Sequence, residues 1–215
     1  MGTTASSKSF YRRDNGSDSQ NRSDAVTVGP DDIVSSLGST FLAPGLFIGI
    51  AKRETNFAVN EHDIDYDEGG NVVRHTYGIF QLDDPSDLGD LSAACSDAIA
   101  TFERYANDVM SAAGLSSMTR DAYAYVCWAH NAGEGNGQAI DSIRAYGLDW
   151  EALKSRQQND YVRNRLIPYA EAVMSYVDQY PSSSDSGSSD SGSGDLGILL
   201  LIAGAALLLW QLVAT

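Results

Sequence analysis

The chain has 215 residues and a formal net charge of −15, and 43% of its residues are hydrophobic. This length accommodates one domain of about 150 residues with flanking segments, and the hydrophobic share is enough to form a core. The acidic balance argues against nucleic acid as a partner, because nucleic-acid binding needs a basic surface.

The composition divides the chain into segments of different character. Residues 1–28 are polar and poor in large apolar side chains, which predicts a disordered arm. No apolar run occurs before residue 33, so we expect no signal peptide. Residues 29–181 have helical periodicity and form the predicted globular domain. Residues 182–195 are rich in Ser, Gly and Asp, which is typical of a flexible linker.

The first part of the globular domain is predicted to contain two helices and a hairpin. Asp31 is the expected N-cap of the first helix, and Pro44 fits the first turn of the second. Residues 63–77 place alternating apolar residues on both sides of EGGN, a pattern typical of a short β-hairpin. The predicted fold class is therefore mainly α, with one small β-hairpin.

The second part of the globular domain is predicted to be helical throughout. The expected caps are Ser92 for a helix over about 93–113, Thr119 for one over about 120–132, and Asp149 for a further helix. A last helix is expected over about 159–180, with a kink at Pro168 because proline cannot donate a backbone hydrogen bond. Cys95 and Cys127 lie in predicted helices, and we expect buried thiols rather than a disulfide.

The C-terminal segment, residues 196–214, is apolar, with Gln211 as its one strongly polar side chain. About twenty such residues span the hydrocarbon core of a bilayer, so the segment predicts a transmembrane helix with a lipid bilayer as its partner. The preceding linker separates the segment from the globular domain, which argues against a buried core helix. We therefore expect the chain to be anchored in a membrane by this single helix.

Glu54 lies on an otherwise apolar face of the second predicted helix. The apolar residues at helical spacing around it are Phe47, Ile50, Ala51 and Ala58. Burial opposes the charged form of a carboxyl group, and a glutamic acid that is protonated near neutral pH can act as a general acid. The alternative is a structural ion pair with Arg53 or Arg74. Spacing alone leaves both interpretations open.

The acidic run DIDYDEGG, residues 63–70, superficially resembles a calcium loop. An EF-hand has Gly at its sixth position and Glu at its twelfth, whereas Glu68 and Arg74 occupy those positions here. No His or Cys cluster has the spacing of a zinc site. We therefore expect no metal and no other cofactor, and we interpret the run as a solvated acidic surface.

Four motifs follow one another from Glu54 to the last predicted helix: RETNFAV around Glu54, HTYGIFQL at residues 75–82, AHNAGEG and YVRNRLIPYAEAV. Together they resemble the lysozyme superfamily, and in particular the lytic transglycosylase (SLT-type) domain. RETNFAV is similar to the E-S-x-F helix end of that family, and HTYGIFQL to its Y-G-I-F-Q strand. AHNAGEG, residues 129–135, resembles its A-Y-N-A-G-x-G motif, and YVRNRLIPYAEAV from Tyr161 its Y-V-x-x-V helix. The motifs follow the family order over about 120 residues. The resemblance implies an α+β lysozyme-like fold with the hairpin beside a glycan cleft.

The resemblance also implies roles for individual residues, with Glu54 as the catalytic acid and base. The implied substrate-binding residues are Thr76, Tyr77, Gln81, His130, Asn131 and Tyr161. Amide side chains offer donors and acceptors to a sugar, and tyrosine rings offer faces to pyranoses, although both tyrosines would also suit a core. His130 stands where the family motif has Tyr, and Thr76 where animal-type lysozymes carry a second carboxylate.

The function implied by the resemblance is cleavage of peptidoglycan between N-acetylmuramic acid (MurNAc) and N-acetylglucosamine (GlcNAc), with a 1,6-anhydro product. A C-terminal anchor without a signal peptide favours a virion protein of a membrane-containing phage, which opens the cell wall during genome entry. Its expected location is the internal virion membrane, where other virion membrane proteins are candidate partners. Wall glycan strands are its expected substrate.

Two alternatives remain open from the sequence. One is a hydrolytic muramidase similar to goose-type lysozymes, acting in host lysis from the bacterial inner membrane. In that case an acid of the hairpin positions a water molecule, and the candidates are Asp63, Asp65, Asp67 and Glu68. The other alternative, of a different class, is a non-catalytic glycan-binding or virion assembly protein.

Overall fold

The structure is a computed structural model that describes residues 25–66, 69–132 and 137–182. The described residues form seven α-helices: α1 Pro30–Ser36, α2 Pro44–Thr55, α3 Leu91–Ala113, α4 Arg120–Asn131, α5 Gly137–Tyr146, α6 Trp150–Arg156 and α7 Ile167–Gln179. They also form the strands β1 His62–Tyr66 and β2 Val72–Tyr77, a 3-10 turn Pro85–Asp87 and a π-helical turn Val162–Leu166. The predicted class, mainly helical with a small hairpin, is confirmed.

Helix α2 runs through the core. Residues 45–51 are all buried, so the helix is covered on more than one face. Pro44 occupies its first turn, as predicted, where a missing backbone N–H costs no helical hydrogen bond. The helix ends at Thr55, because Asn56 adopts a left-handed conformation with φ of 53°. Glu54 therefore lies in the last turn of a helix whose earlier turns are fixed by packing.

Two glycines allow α2 and α7 to pack closely. A Cβ atom on Gly45 would lie 2.1 Å from the carbonyl oxygen of Tyr176, and one on Gly49 would lie 2.9 Å from the Cα of Val173. Both distances are shorter than real Cβ contacts, so these positions need glycine. The close packing fixes α7 beside the end of α2 that carries Glu54.

Helix α4 is the second central element, and residues 122–129 are all buried. Thr119 caps the helix, as predicted, by accepting a hydrogen bond from a backbone amide of the first turn at 3.2 Å. Helix α4 packs against α3, α5 and α7. It ends at Asn131, so His130 and Asn131 both lie at its C-terminal end.

Strands β1 and β2 pair antiparallel and form the predicted hairpin. The register pairs His62 with Tyr77, Asp63 with Thr76, Ile64 with His75 and Asp65 with Arg74. Because side chains alternate along a strand and partners share a face, Asp63 and Asp65 lie on the same face as Arg74. Tyr77 lies on the opposite face.

The first helix begins earlier than predicted. Helix α1 starts at Pro30, so Asp31 lies inside the helix and is not its N-cap. The N-cap is Gly29, whose backbone N–H donates to the Asp32 carboxylate at 2.7 Å. Proline is well suited to a first helical position because its fixed φ is already helical, and that preference sets the helix start here.

The cap of α3 also differs from the prediction. Asp90, rather than Ser92, is the N-cap, and its carboxylate accepts from the backbone amides of Ser92 and Ala93 at 2.9 and 3.0 Å. A carboxylate is a stronger acceptor than a hydroxyl, which favours the earlier start. The prediction for Asp149 is confirmed, since it caps α6 through an amide at 2.8 Å. Helix α5 had no counterpart in the prediction.

The last helix contains a π-helical turn instead of a simple kink. Residues 160–179 are helical, and the π turn Val162–Leu166 lies just before Pro168. Proline cannot donate to the carbonyl four residues earlier, and the Ile167 amide bonds to the carbonyl of Val162, five residues back. The irregularity predicted at Pro168 is therefore taken up in the preceding turn.

Cys95 and Cys127 are buried free thiols, as predicted. The folded part begins before residue 29, because Thr27 forms a bridge with Ala58 and the Val26 carbonyl accepts from the Val59 amide at 2.9 Å. Residues 25–28 thus do not belong to a disordered arm.

Within the described ranges, no helix combines the length and the apolar character that crossing a membrane requires. The predicted transmembrane segment 196–214 lies outside the described residues, as do residues 1–24 of the arm and 183–195 of the linker.

Candidate active site

The C-terminal ends of α2 and α4 meet beside α7, and their side chains converge on the carboxyl group of Glu54. The Tyr169 hydroxyl donates to Glu54 Oε1 at 2.5 Å. His130 Nε2 lies 3.3 Å from the same oxygen. The side chain of Glu54 is 22% exposed and that of His130 9% exposed. Glu54 is therefore held by two side chains from other helices and is still accessible to a ligand.

Tyr169 acts as a permanent hydrogen-bond donor to this carboxyl group. Burial raises the pKa of Tyr169 well above its ordinary value, and the neighbouring charge of Glu54 raises it further. The guanidinium of Arg53, 5.8 Å from the centroid of the tyrosine ring, opposes this shift but is outweighed. The Tyr169 hydroxyl therefore stays protonated and available to donate to the carboxyl group of Glu54.

The position of Glu54 subjects its carboxyl group to two opposing influences. The last turn of a helix is the negative end of the helix dipole, which disfavours a negative side chain there. The Tyr169 hydroxyl, in contrast, stabilises the ionised form by donating to it. General acid and base catalysis requires a carboxyl group that is held in place and accessible, and Glu54 meets both conditions.

Asn131 and Tyr161 belong to the same cluster. The Tyr161 hydroxyl donates to Asn131 Oδ1 at 3.1 Å. Burial raises the pKa of Tyr161, Arg165 opposes the shift, and the charge of Glu54 adds to it. The structure therefore brings three of the predicted substrate-binding residues, His130, Asn131 and Tyr161, to the neighbourhood of Glu54.

Thr76 and Gln81 form a polar contact at the base of the hairpin. The Thr76 hydroxyl donates to Gln81 Oε1 at 2.7 Å, and Gln81 Nε2 donates to the carbonyl of Gly78 at 2.8 Å. Both side chains are buried. Their hydrogen bonds fix the turn that follows β2, and their contact with a substrate stays a prediction.

Tyr77 packs against another aromatic ring of the hairpin. Its ring stacks on that of His62 at a centroid distance of 4.6 Å, on the hairpin face opposite Arg74 and Thr76. The contact of Tyr77 with a substrate stays a prediction.

The segment after β2 is joined to the end of α2. The Thr55 hydroxyl lies 3.2 Å from the carbonyl oxygen of Ile79, which ties the turn to the residue next to Glu54. Gly78 has φ of 68°, and a Cβ atom there would lie 2.6 Å from the carbonyl oxygen of Asp87. Glycine at this position allows the turn to pack on the 3-10 turn and so positions the hairpin.

A pocket of about 260 Å³ opens beside His130. It is lined by Arg74, Leu82, Asp83, Asp84, Asp97, Ala100, Thr101, Arg104, Tyr105 and His130. These residues come from β2, the following loop, α3 and the end of α4. The pocket is slightly smaller than typical cavities for drug-sized ligands, so it suits one group of a larger ligand.

The sequence analysis missed Tyr169 although it lies within the quoted YVRNRLIPYAEAV motif. Tyr161 and Tyr169 are eight residues apart, which leaves them about 80° apart around a regular α-helix. The π turn between them accommodates one extra residue, so the spacing is equivalent to about seven residues, or two turns. Both tyrosines then share the face toward Glu54, and only the proline hinted at the irregularity.

No protein-family model, curated protein or solved structure matches this chain. Among the described residues, no group of three or more His, Cys, Asp or Glu side chains is arranged to hold a metal ion.

Proposed function

We propose that the chain is a peptidoglycan lytic transglycosylase in which Glu54 is the catalytic acid and base. The observation that carries the proposal is the carboxyl group of Glu54, which is accessible and held on Oε1 by Tyr169 and His130. Such fixed orientation is what a proton donor needs at a scissile bond. The order of the elements along the chain also supports a lysozyme-like α+β fold. A helix with Glu54 in its last turn is followed by the hairpin and then by helices that carry His130 and Tyr161.

In the proposed first step, protonated Glu54 donates to the glycosidic oxygen between MurNAc and GlcNAc. The bond between C1 of MurNAc and this oxygen breaks, and its electron pair stays on the departing oxygen. Positive charge develops at C1, as in other glycosidases. Tyr169 stabilises the carboxylate that Glu54 becomes, because it remains a donor throughout.

In the second step, the Glu54 carboxylate takes the proton of the MurNAc 6-hydroxyl. The oxygen of that hydroxyl attacks C1 and closes a 1,6-anhydro ring. The proton is thereby returned to Glu54, and no water is consumed. One carboxyl group thus serves as acid and then as base, so a second carboxylate is not required.

A hydrolytic muramidase is the second candidate, and one observation favours it. Asp63 and Asp65 share a hairpin face with Arg74, which lines the pocket beside His130. Burial raises the pKa of Asp65, against the effect of Arg74. A hydrolase uses a second carboxylate as nucleophile or to activate water, and either of these acids is a candidate.

Analysis of the reaction products distinguishes these functions. Peptidoglycan is incubated with the full-length chain, and the released muropeptides are identified by mass spectrometry. The transglycosylase predicts 1,6-anhydromuramic ends, whereas the hydrolase predicts reducing ends. An unchanged glycan would contradict both enzymes and would favour a glycan-binding or virion assembly protein.

We further propose that the enzyme acts from a membrane, with residues 196–214 as its anchor in the bilayer. A linker of fourteen residues, 182–195, has an expected reach of about 20 Å. Such tethering raises the effective concentration of the globular domain at the wall. It thereby offsets the repulsion between the chain, with its net charge of −15, and the anionic wall polymer. The proposed location is the internal membrane of a phage virion, and the alternative is the bacterial inner membrane. Mass spectrometry of purified virions tests this, since absence of the chain there would contradict the virion location.

A further inference from the structure

The α3 wall of the pocket beside His130 carries a cation and an anion. Asp97, Thr101 and Arg104 follow at steps of four and three, so they lie on one side of the helix, and all three line the pocket. Asp97 and Arg104 are seven residues apart, which is about 10 Å along the helix axis at about 1.5 Å per residue. The wall thus presents opposite charges at its two ends.

The side chain of Arg104 is positioned by stacking on an aromatic ring. Its guanidinium carbon lies 4.8 Å from the ring centroid of Tyr105, and this ring is buried. Stacking on an aromatic face holds a guanidinium while its N–H donors remain available to a ligand. In the described ranges of the chain, no carboxylate lies within ion-pair distance of Arg104. No cation in these ranges lies within ion-pair distance of Asp97.

Arg74 on the opposite side of the pocket is different, because it is already neutralised. Its guanidinium forms a salt bridge with Asp83 at 2.8 Å. The charges available to a ligand on the α3 wall are therefore those of Arg104 and Asp97. A neutral sugar hydroxyl would not compensate either charge once water is excluded, so the wall favours a ligand that carries both signs.

The pocket is next to the reacting group through His130, which both lines the pocket and lies 3.3 Å from Glu54. In peptidoglycan the reacting sugar, MurNAc, carries a short peptide stem with free carboxylates and a diamino acid. An extended peptide advances about 3.3 to 3.6 Å per residue, so two or three residues match the separation of Asp97 and Arg104 along the helix. The charges and their spacing thus fit a stem that leaves the sugar bound at Glu54.

We propose that this pocket, named here the stem pocket (Asp97, Thr101, Arg104 and His130), binds the peptide stem of the glycan. Arg104 pairs with a stem carboxylate, and Asp97 pairs with the ammonium of the diamino acid. The inference rests on the proposed function, because the glycan at Glu54 delivers the stem to the pocket. It makes the enzyme selective for glycan strands whose stems are present and not cross-linked at that ammonium.

The test measures peptide binding by calorimetry with the full-length chain in detergent. The first probe is a tripeptide of alanine, γ-linked glutamate and diaminopimelate, acetylated at its alanine amine to imitate the link to MurNAc. The second probe is the same peptide with the diaminopimelate amines acetylated as well. Arg104→Gln is expected to weaken binding of the first probe by at least about tenfold, as for loss of a charged hydrogen bond. Asp97→Asn is expected to weaken binding of the first probe and to leave the affinity for the second probe unchanged.

Arg144→Gln is the matched control, because Arg144 is an exposed arginine of α5 that pairs only with Asp141 in the described residues, at 3.6 Å. It should bind both probes like the unmodified chain. Equal affinities of the unmodified chain and Arg104→Gln, or an absence of binding at millimolar peptide, would overturn the stem pocket.

A kinetic comparison separates this inference from the proposed function. Cleavage is measured on glycan that carries its peptide stems and on glycan whose stems an amidase has removed. The unmodified chain is expected to prefer the first substrate, as a ratio of kcat/KM values. This ratio is expected to fall about tenfold in Arg104→Gln. Cleavage with an unchanged preference would overturn the stem pocket and keep the enzyme. Arg104-dependent peptide binding without any glycan cleavage would overturn the enzyme and support the pocket.

Discussion

The Tyr169 hydroxyl donates to Glu54 Oε1 at 2.5 Å, between two residues that are 115 positions apart in the sequence. The contact depends on the close approach of α7 to α2, which Gly45 and Gly49 permit. The orientation of the proposed catalytic acid is therefore determined by packing of the core and not by loops.

Tyr169→Phe should impair the reaction while preserving the fold. The phenyl ring keeps the buried packing, but the carboxylate loses the hydrogen bond that Tyr169 donates. A hydrogen bond to a charged group contributes about 1.5 to 3 kcal/mol, so kcat is expected to fall by about 10- to 100-fold. The measurements are turnover on purified peptidoglycan and the thermal midpoint.

Tyr146→Phe is the matched control for this variant, since Tyr146 is 64% exposed. It should keep the kcat of the unmodified chain. An unchanged kcat in Tyr169→Phe would show that the hydroxyl is not needed to hold Glu54.

Gly49→Ala should destabilise the domain, because the added methyl group would lie 2.9 Å from the Cα of Val173. Relief of that contact must push α7 away from α2, and overpacking of this kind costs about 1 to 3 kcal/mol. Urea denaturation measures the free energy of unfolding. Gly137→Ala is the control, since its methyl group would meet no atom of the described residues within 4 Å and alanine favours the helix. Equal stability of Gly49→Ala and the unmodified chain would contradict the close packing.

The buried carboxyl group of Asp87 predicts a pH-dependent stability. The side chain is 1% exposed, and neither oxygen has a hydrogen-bond partner in the described part of the chain. Burial raises the pKa of Asp87 to about 7, and the charges of Asp97, Asp84 and Asp90 add to the shift. Because the folded pKa exceeds the unfolded one, the contribution of Asp87 to stability is fully present below about pH 4 and is lost as the pH rises through about 7.

Asp87→Asn removes this titration. At pH 8 the variant is expected to be more stable than the unmodified chain by about 1 to 3 kcal/mol, since an uncharged amide replaces a buried charge and about 1.4 kcal/mol corresponds to one pKa unit. Near pH 4 the difference should vanish or change sign, because an unpaired amide is also costly to bury. Denaturation curves at a series of pH values measure the difference. A difference that does not vary with pH would contradict the raised pKa.

Features determined by local chemistry were predictable from the sequence. The sequence correctly predicted that Pro44 lies in a first helical turn and that Thr119 and Asp149 cap helices. Such positions are predictable because they depend on only a few neighbouring backbone groups. The hairpin was likewise predicted, since alternation of side chains and a Gly-rich turn are local signals.

Features determined by tertiary contacts were not predictable in this way. The π turn places Tyr169 on the face toward Glu54, and a regular helical count cannot show this. Thr76 and Gln81 have polar groups that suit a sugar, but the folded hairpin already uses them. Arg104 and Asp97 line the same pocket because α3 packs beside the loop after β2, which is a tertiary contact.

The most direct test of the central claim is glycan cleavage by Glu54→Gln. The amide keeps the shape and can still accept from Tyr169, but it can neither donate an acidic proton nor act as a base. Release of 1,6-anhydro muropeptides by this variant is expected to fall by at least about 10³-fold, in line with loss of general acid and base catalysis. Glu151→Gln, at a glutamate that is 77% exposed, should retain full activity. Release of the same products by Glu54→Gln at the rate of the unmodified chain would contradict the assignment of Glu54 as the catalytic acid.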